Sequence, residues 1–218
     1  MIKKLVFEFI GTFILVICSG ITEERSKVKR TSYSWGIGED FLGVSMIGFF
    51  IYLALFYFGS KISGCYLNPA VTFGMIFVKQ VKLVEGIVFI ITQFVAGFFG
   101  ALCVMLYMAN SDGISTTPLN VGYFQGLILE IQMSMIFIFI FINSVISSNV
   151  EKHLKGFLIA TGYMITNCAT YRLTGGGNNP AKSLPLNFVR GYFDSTHIFL
   201  FAPFIGAIFS VVIYIIFS

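Results

Sequence analysis

Two stretches decide the reading of this chain: SGCYLNPAVT at residues 63–72 and TGGGNNPAKS at residues 174–183. Each holds the tripeptide Asn-Pro-Ala, as Asn68-Pro69-Ala70 and as Asn179-Pro180-Ala181. Each is preceded by a hydroxyl-glycine pair, Ser63-Gly64 or Thr174-Gly175. Asn favours the N-cap, where its side-chain oxygen accepts a backbone N–H. Pro suits the first helical position, where its missing N–H would be unpaired in any case. Each motif is therefore a helix start. The apolar stretches that follow, Pro69 to Val78 and Pro180 to Val189, are about half the length that crosses a bilayer, so they read as re-entrant half-helices.

The surroundings are those of a membrane protein. The 218 residues are 56% hydrophobic and only 11% charged, against roughly 25% charged in a soluble domain. Six apolar runs can be placed, at about 5–20, 40–58, 84–107, 123–147, 157–171 and 197–217, with polar breaks at 21–38, 108–122 and 148–156. The run from Leu5 contains Glu8 and reads as a first span rather than a signal peptide. Integral, multi-pass membrane placement follows, with lipid as the surrounding partner. Which membrane is left open. No basic stripe interleaved with aromatics points to nucleic acid. The cysteines Cys18, Cys65, Cys103 and Cys168 form no CxxC or Cys/His pattern, so neither a metal site, a cofactor nor a disulfide framework is expected. No Ser/His/Asp set or phosphate-cradling loop suggests an enzyme.

The halves match one another. Glu8 opens one apolar run and Glu130 another; Ala96-x-x-x-Gly100 in the third run is echoed by Ala202-x-x-x-Gly206 in the sixth. Each half reads as span, span, half-helix, span. Three spans are an odd number, so the second half starts on the opposite side of the membrane. The repeats are then inverted, about 1–108 and 122–218 within one domain spanning 1–218, with a site near the midplane. With the N-terminus inside, seven Lys and Arg fall on each side, so the positive-inside rule does not decide orientation. The small-xxx-small pairs allow close helix crossing. An acid within a span marks a functional hypothesis. Glu8 and Glu130, at equivalent places, are expected to brace the two loops by accepting backbone N–H groups. A proton-relay role in a coupled transporter is the competing reading.

With these residues in hand, the chain resembles the aquaporin (major intrinsic protein) family along nearly its whole length. The two signatures, Glu8, Glu130, Gln93 and Pro203-Phe-Ile-Gly206 carry the likeness. The resemblance implies an all-α membrane protein: six transmembrane helices and two re-entrant half-helices in a right-handed bundle, one pore per subunit and a homotetramer. It also implies a passive channel for water, extending to small neutral solutes such as glycerol or urea, that excludes protons and ions. A glycerol-preferring channel, a coupled transporter and an anion-leaky channel are the alternatives. Asn68 and Asn179 would be central pore donors.

The departures bear on the substrate. Where the family has an Arg after the second motif, this chain has Lys182, a mobile point charge in place of a rigid fork. By family spacing, Gly48, Asn167 and Gly176 complete the outer constriction; a one- or two-residue gap would move the first to Ile47 and the second to Ala169. None is a large aromatic or a His, so the constriction is expected to be wide or filled by Lys182. Ser183 stands where similar glycerol channels carry Asp, and Tyr66 where a His is usual. Phe199-Leu200 matches neither the water-type nor the glycerol-type pair. Cys65, three residues before Asn68, is a candidate mercurial site, with a buried structural thiol as the equal alternative.

Overall fold

A computed structural model describes the backbone of residues 1–32, 39–107 and 119–218, and the side chains of 1–22, 42–107 and 119–218. The described residues form eight helices and no strand: α1 (Ile2–Ser32), α2 (Glu39–Gly59), α3 (Pro69–Phe77), α4 (Leu83–Tyr107), α5 (Tyr123–Ile146), α6 (Lys152–Thr174), α7 (Pro180–Arg190) and α8 (Thr196–Phe217). At 1.5 Å per residue, α3 with 9 residues and α7 with 11 are about half a bilayer core long. The other six are long enough to cross.

Two boundaries differ from the pattern of apolar runs. The charged stretch after residue 20 was expected to be a polar break, yet α1 continues through it to Ser32. Residues 33–38 of that break, and 108–118 of the next, lie outside the described residues. The fifth run, expected at 157–171, is the middle of a 23-residue helix, Lys152–Thr174. Five of the described helices are both long and apolar enough to count as spans by composition, and α6 is not among them. Its polar residues explain this: Thr166, Asn167, Thr170 and Thr174 are all buried, facing the interior of the bundle rather than lipid.

Packing repeats between the halves. Helix α1 packs on α4 and α5 on α8; α1 meets α2 as α5 meets α6. Each half-helix lies between the same two spans, α3 on α4 and α8, α7 on α4 and α8. The α1–α4 and α5–α8 crossings depend on glycine. A Cβ at Gly100 would fall 3.2 Å from the Phe13 carbonyl oxygen, and one at Gly206 would fall 2.7 Å from that of Ile131. At Gly206 the neighbour is backbone closer than a real Cβ approaches, so a larger residue would force the helices apart; at Gly100 the fit is tight and a Cβ would push its neighbours by a few tenths of an ångström. Between the halves, Tyr52, Phe137 and Tyr163 form an aromatic cluster with ring centroids 5.1–5.8 Å apart. Around the outside, Phe50, Phe58, Phe124 and Ile215 are exposed, a surface suited to lipid or to neighbouring copies.

Candidate functional site

The site forms where α3 and α7 begin. Both N-cap asparagines have extended backbone, φ −151° at Asn68 and −129° at Asn179. Each Oδ1 accepts its own helix's backbone N–H, from Ala70 at 2.9 Å and from Ala181 at 3.0 Å. Pro69 and Pro180 occupy the first helical positions, where no N–H is needed. The two Nδ2 groups reach across the sequence. Asn68 Nδ2 donates to the Asn178 carbonyl at 3.0 Å, and Asn179 Nδ2 donates to the Leu67 carbonyl at 2.9 Å. The helix starts therefore touch tip to tip. Each asparagine keeps one Nδ2–H uncommitted by these bonds. The positive ends of the two helix dipoles converge at the same point.

Behind the first tip, Glu8 of α1 is completely buried. Its Oε1 accepts Ser63 Oγ at 2.6 Å and the Tyr66 N–H at 3.1 Å; its Oε2 accepts the Leu67 N–H at 2.9 Å and Gln93 Nε2 at 2.8 Å. Gln93 of α4 is in turn paired with Thr72 Oγ1 of α3. Tyr52 Oη caps the loop by donating to the Tyr66 carbonyl at 2.7 Å. Four donors on one carboxyl group answer the acceptor capacity that burial would otherwise leave unsatisfied.

Behind the second tip, Glu130 of α5 is also completely buried. Its Oε1 accepts Thr174 Oγ1, and the Gly177 N–H at 3.1 Å. These are the counterparts of the Ser63 and Tyr66 bonds. Its Oε2 has no hydrogen-bond partner among the described residues. The place that Gln93 takes in the first half is taken here by Phe199 of α8, whose ring lies 2.2 Å from where a Gly177 Cβ would sit, with Glu130 Oε2 2.9 Å from the same point.

The backbones part at one residue. Gly64 and Cys65 have left-handed φ (+103° and +56°), as do their counterparts Gly175 and Gly176 (+75° and +69°). Leu67 continues left-handed at +54°, whereas its counterpart Asn178 does not. The Leu67 side chain packs against Gly11 of α1, where an added Cβ would meet it at 2.5 Å. Asn178 is 1% exposed, and neither its Oδ1 nor its Nδ2 has a partner among the described residues.

The residues expected at the constriction are placed as follows. Lys182 lies in the first turn of α7, 1% exposed. Asn167 and Gly176 meet: a Cβ on Gly176 would fall 2.6 Å from Asn167 Oδ1, while Asn167 Nδ2 donates to the Tyr163 carbonyl at 2.8 Å. Gly48 is buried, and the space beside it is filled by Tyr163, whose Cε1 would lie 2.6 Å from an added Cβ. The alternative positions Ile47 and Ala169 are both exposed, away from these residues. Cys65 is fully buried in the apolar core, its N–H donating to Ser63 Oγ at 3.1 Å. Sequence reasoning gave no role to Asn178 or Thr72, and it singled out Thr174 and Phe199 without connecting either to Glu130. The signal for Phe199 was present, since aligning Ala96/Gly100 with Ala202/Gly206 sets it opposite Gln93.

Residues 1–214 match the family model described as Major intrinsic protein. The chain is 31% identical over 217 residues to a protein named aquaporin PIP1-3/PIP1-4 from Zea mays, covering 92% of this chain and 72% of that one. It is 25% identical over 210 residues to Nodulin-26 from Glycine max, covering 95% and 74%. It is 26% identical over 238 residues to aquaporin AqpM from Methanothermobacter marburgensis, covering 97% and 96%. Among solved structures, the aquaglyceroporin from Plasmodium falciparum superposes with a TM-score of 0.73 at 19% identity, over 97% of this chain and 93% of that one. That likeness shows the fold.

Proposed function

The chain belongs to the major intrinsic protein family, and from that premise we propose which solutes its channel passes and by what means. It is a passive membrane channel for water and small solutes. Water is the principal permeant, with glycerol and urea as further neutral solutes, and protons and ions are excluded. The observation that carries this reading is the tip-to-tip contact of α3 and α7 through the crossed Asn68 and Asn179 bonds.

The mechanism follows from what those asparagines have left. Both Oδ1 atoms are committed to their own helices, so each offers only an N–H. A water between them accepts from both, and its hydrogens then point away on either side. Its neighbours are oriented oppositely, which interrupts proton hopping along the file. The converging helix ends add positive potential that opposes cations. Non-helical backbone before each Asn is tolerated at membrane depth because it lines this path. Lys182 supplies a positive charge at the outer mouth. Asn167 and Gly176 set the width there together with Gly48, whose lack of a side chain admits the Tyr163 ring. Glu8 and Glu130 hold the loops. One domain carries the pore, built of repeats 1–108 and 122–218, and four copies assemble as a homotetramer.

Stopped-flow light scattering of vesicles containing the purified protein tests the reading. Water should equilibrate many-fold faster than in protein-free vesicles, glycerol and urea should follow their gradients with no ion requirement, and a pH-sensitive dye inside should report no added proton flux. A permeability equal to that of empty vesicles, or conductance in planar bilayers, would refute it. Native mass spectrometry at four chain masses checks the assembly.

A further inference from the structure

We propose that Asn178 is a permeant-binding residue of the pore centre, selecting urea and small carboxamides over polyols. The inference rests on the channel reading above and extends it to a substrate class. A side-chain amide has two donors and an acceptor with two lone pairs. At Asn178 none of these is used by the described residues, although the side chain is 1% exposed. A buried amide without partners is costly, and within a bilayer the water-filled path is what can answer it. The residue is fixed at that path by its own backbone, because its carbonyl takes the Asn68 Nδ2 bond. Its counterpart Leu67 has a left-handed backbone and a side chain turned onto Gly11; Asn178 has neither.

The consequence is chemical. Asn68 and Asn179 present donors alone to a passing molecule, since both Oδ1 atoms are taken. Asn178 adds an acceptor beside them. A urea carbonyl has two lone pairs and takes the Asn68 and Asn179 N–H groups, while its own N–H donates to Asn178 Oδ1. A polyol in the same place must set its C–H edge against one wall. At Asn178 that wall is an amide left unpaired by the contact. A site built to hydrogen-bond discriminates strongly against a solute that leaves its polar groups unanswered.

The test compares urea, acetamide, glycerol and water permeability of vesicles carrying the full chain or Asn178→Leu, which copies Leu67. The expected result is a fall of about tenfold in the urea-to-water ratio, with glycerol unchanged or faster. A ratio within about twofold of the unaltered protein, or a loss of glycerol flux equal to that of urea, would overturn the assignment. Should the variant not assemble, the unaltered protein decides. Acetamide should slow urea flux saturably while glycerol does not, and absence of competition is equally fatal. Rapid water flux in the unaltered protein reports on the channel reading separately, whichever way the urea result falls.

Discussion

The two loops are built on one plan and finished differently. In the first, Glu8 receives four donors and is tied through Gln93 to Thr72, so α1, α4, α3 and the loop form one closed network. In the second, Glu130 receives two, and one oxygen faces Phe199 with no partner among the described residues. The first loop is a rigid wall, with Leu67 packed away. The second has fewer bonds to its carboxylate, and Asn167 meets Gly176 within it. Duplication supplies the frame of a pore, and departures from symmetry give one side adjustable chemistry.

This contrast can be broken by experiment. The largest effect is expected for Glu8→Ala, which strands four buried donors and should cost about 4 kcal/mol or more. Purified in detergent, the variant should aggregate or unfold well below the unaltered protein, whereas Glu130→Ala should cost about half as much. Equal losses for the two would erase the distinction. Next comes Gln93→Leu, which removes a donor from Glu8 and the partner of Thr72. A loss of about 1–3 kcal/mol is expected, read as a lower thermal midpoint, and no change would mean that the network does not rigidify the first loop. Lys182→Ala should still fold and should raise solute or cation leak in vesicles; unchanged selectivity would remove the residue from the outer filter. The smallest effect concerns Cys65. Buried at 0% exposure, it should react with mercurials slowly, and Cys65→Ser should abolish any inhibition of water flux. Rapid inhibition that survives the substitution would assign the reactive thiol elsewhere.

Much of the frame was legible in the sequence because helix starts are local. Asn-Pro-Ala carries its own capping chemistry, so α3 and α7 begin at Pro69 and Pro180, and their ends differ from the expected ones by a single residue. Hydropathy located five spans well and truncated α6, because a helix that turns Thr166, Asn167 and Thr170 inward does not look like one that meets lipid. The continuation of α1 to Ser32 was hidden for the complementary reason: hydropathy registers where apolar burial stops, while a helix can run on beyond the membrane. Side-chain partners were the least legible. The Glu8–Gln93 bond joins residues 85 apart, and no periodicity encodes such a pairing. Asn178 was overlooked because it sits beside the motif that drew attention. Its significance depends on having no partner, which only three-dimensional structure reveals.

The crossed asparagine bonds also set a schedule. Asn68 needs the carbonyl of a residue 110 positions later, and Asn179 needs one 112 positions earlier. A ribosome adding about 5–20 residues per second takes roughly 5 to 20 s to make that stretch. Throughout that interval the first half-helix exists with its tip unmatched. Glu8 and its donors all lie within the first 93 residues, so the first loop can be set before its mate is made. The better-braced loop is thus the one that has to wait.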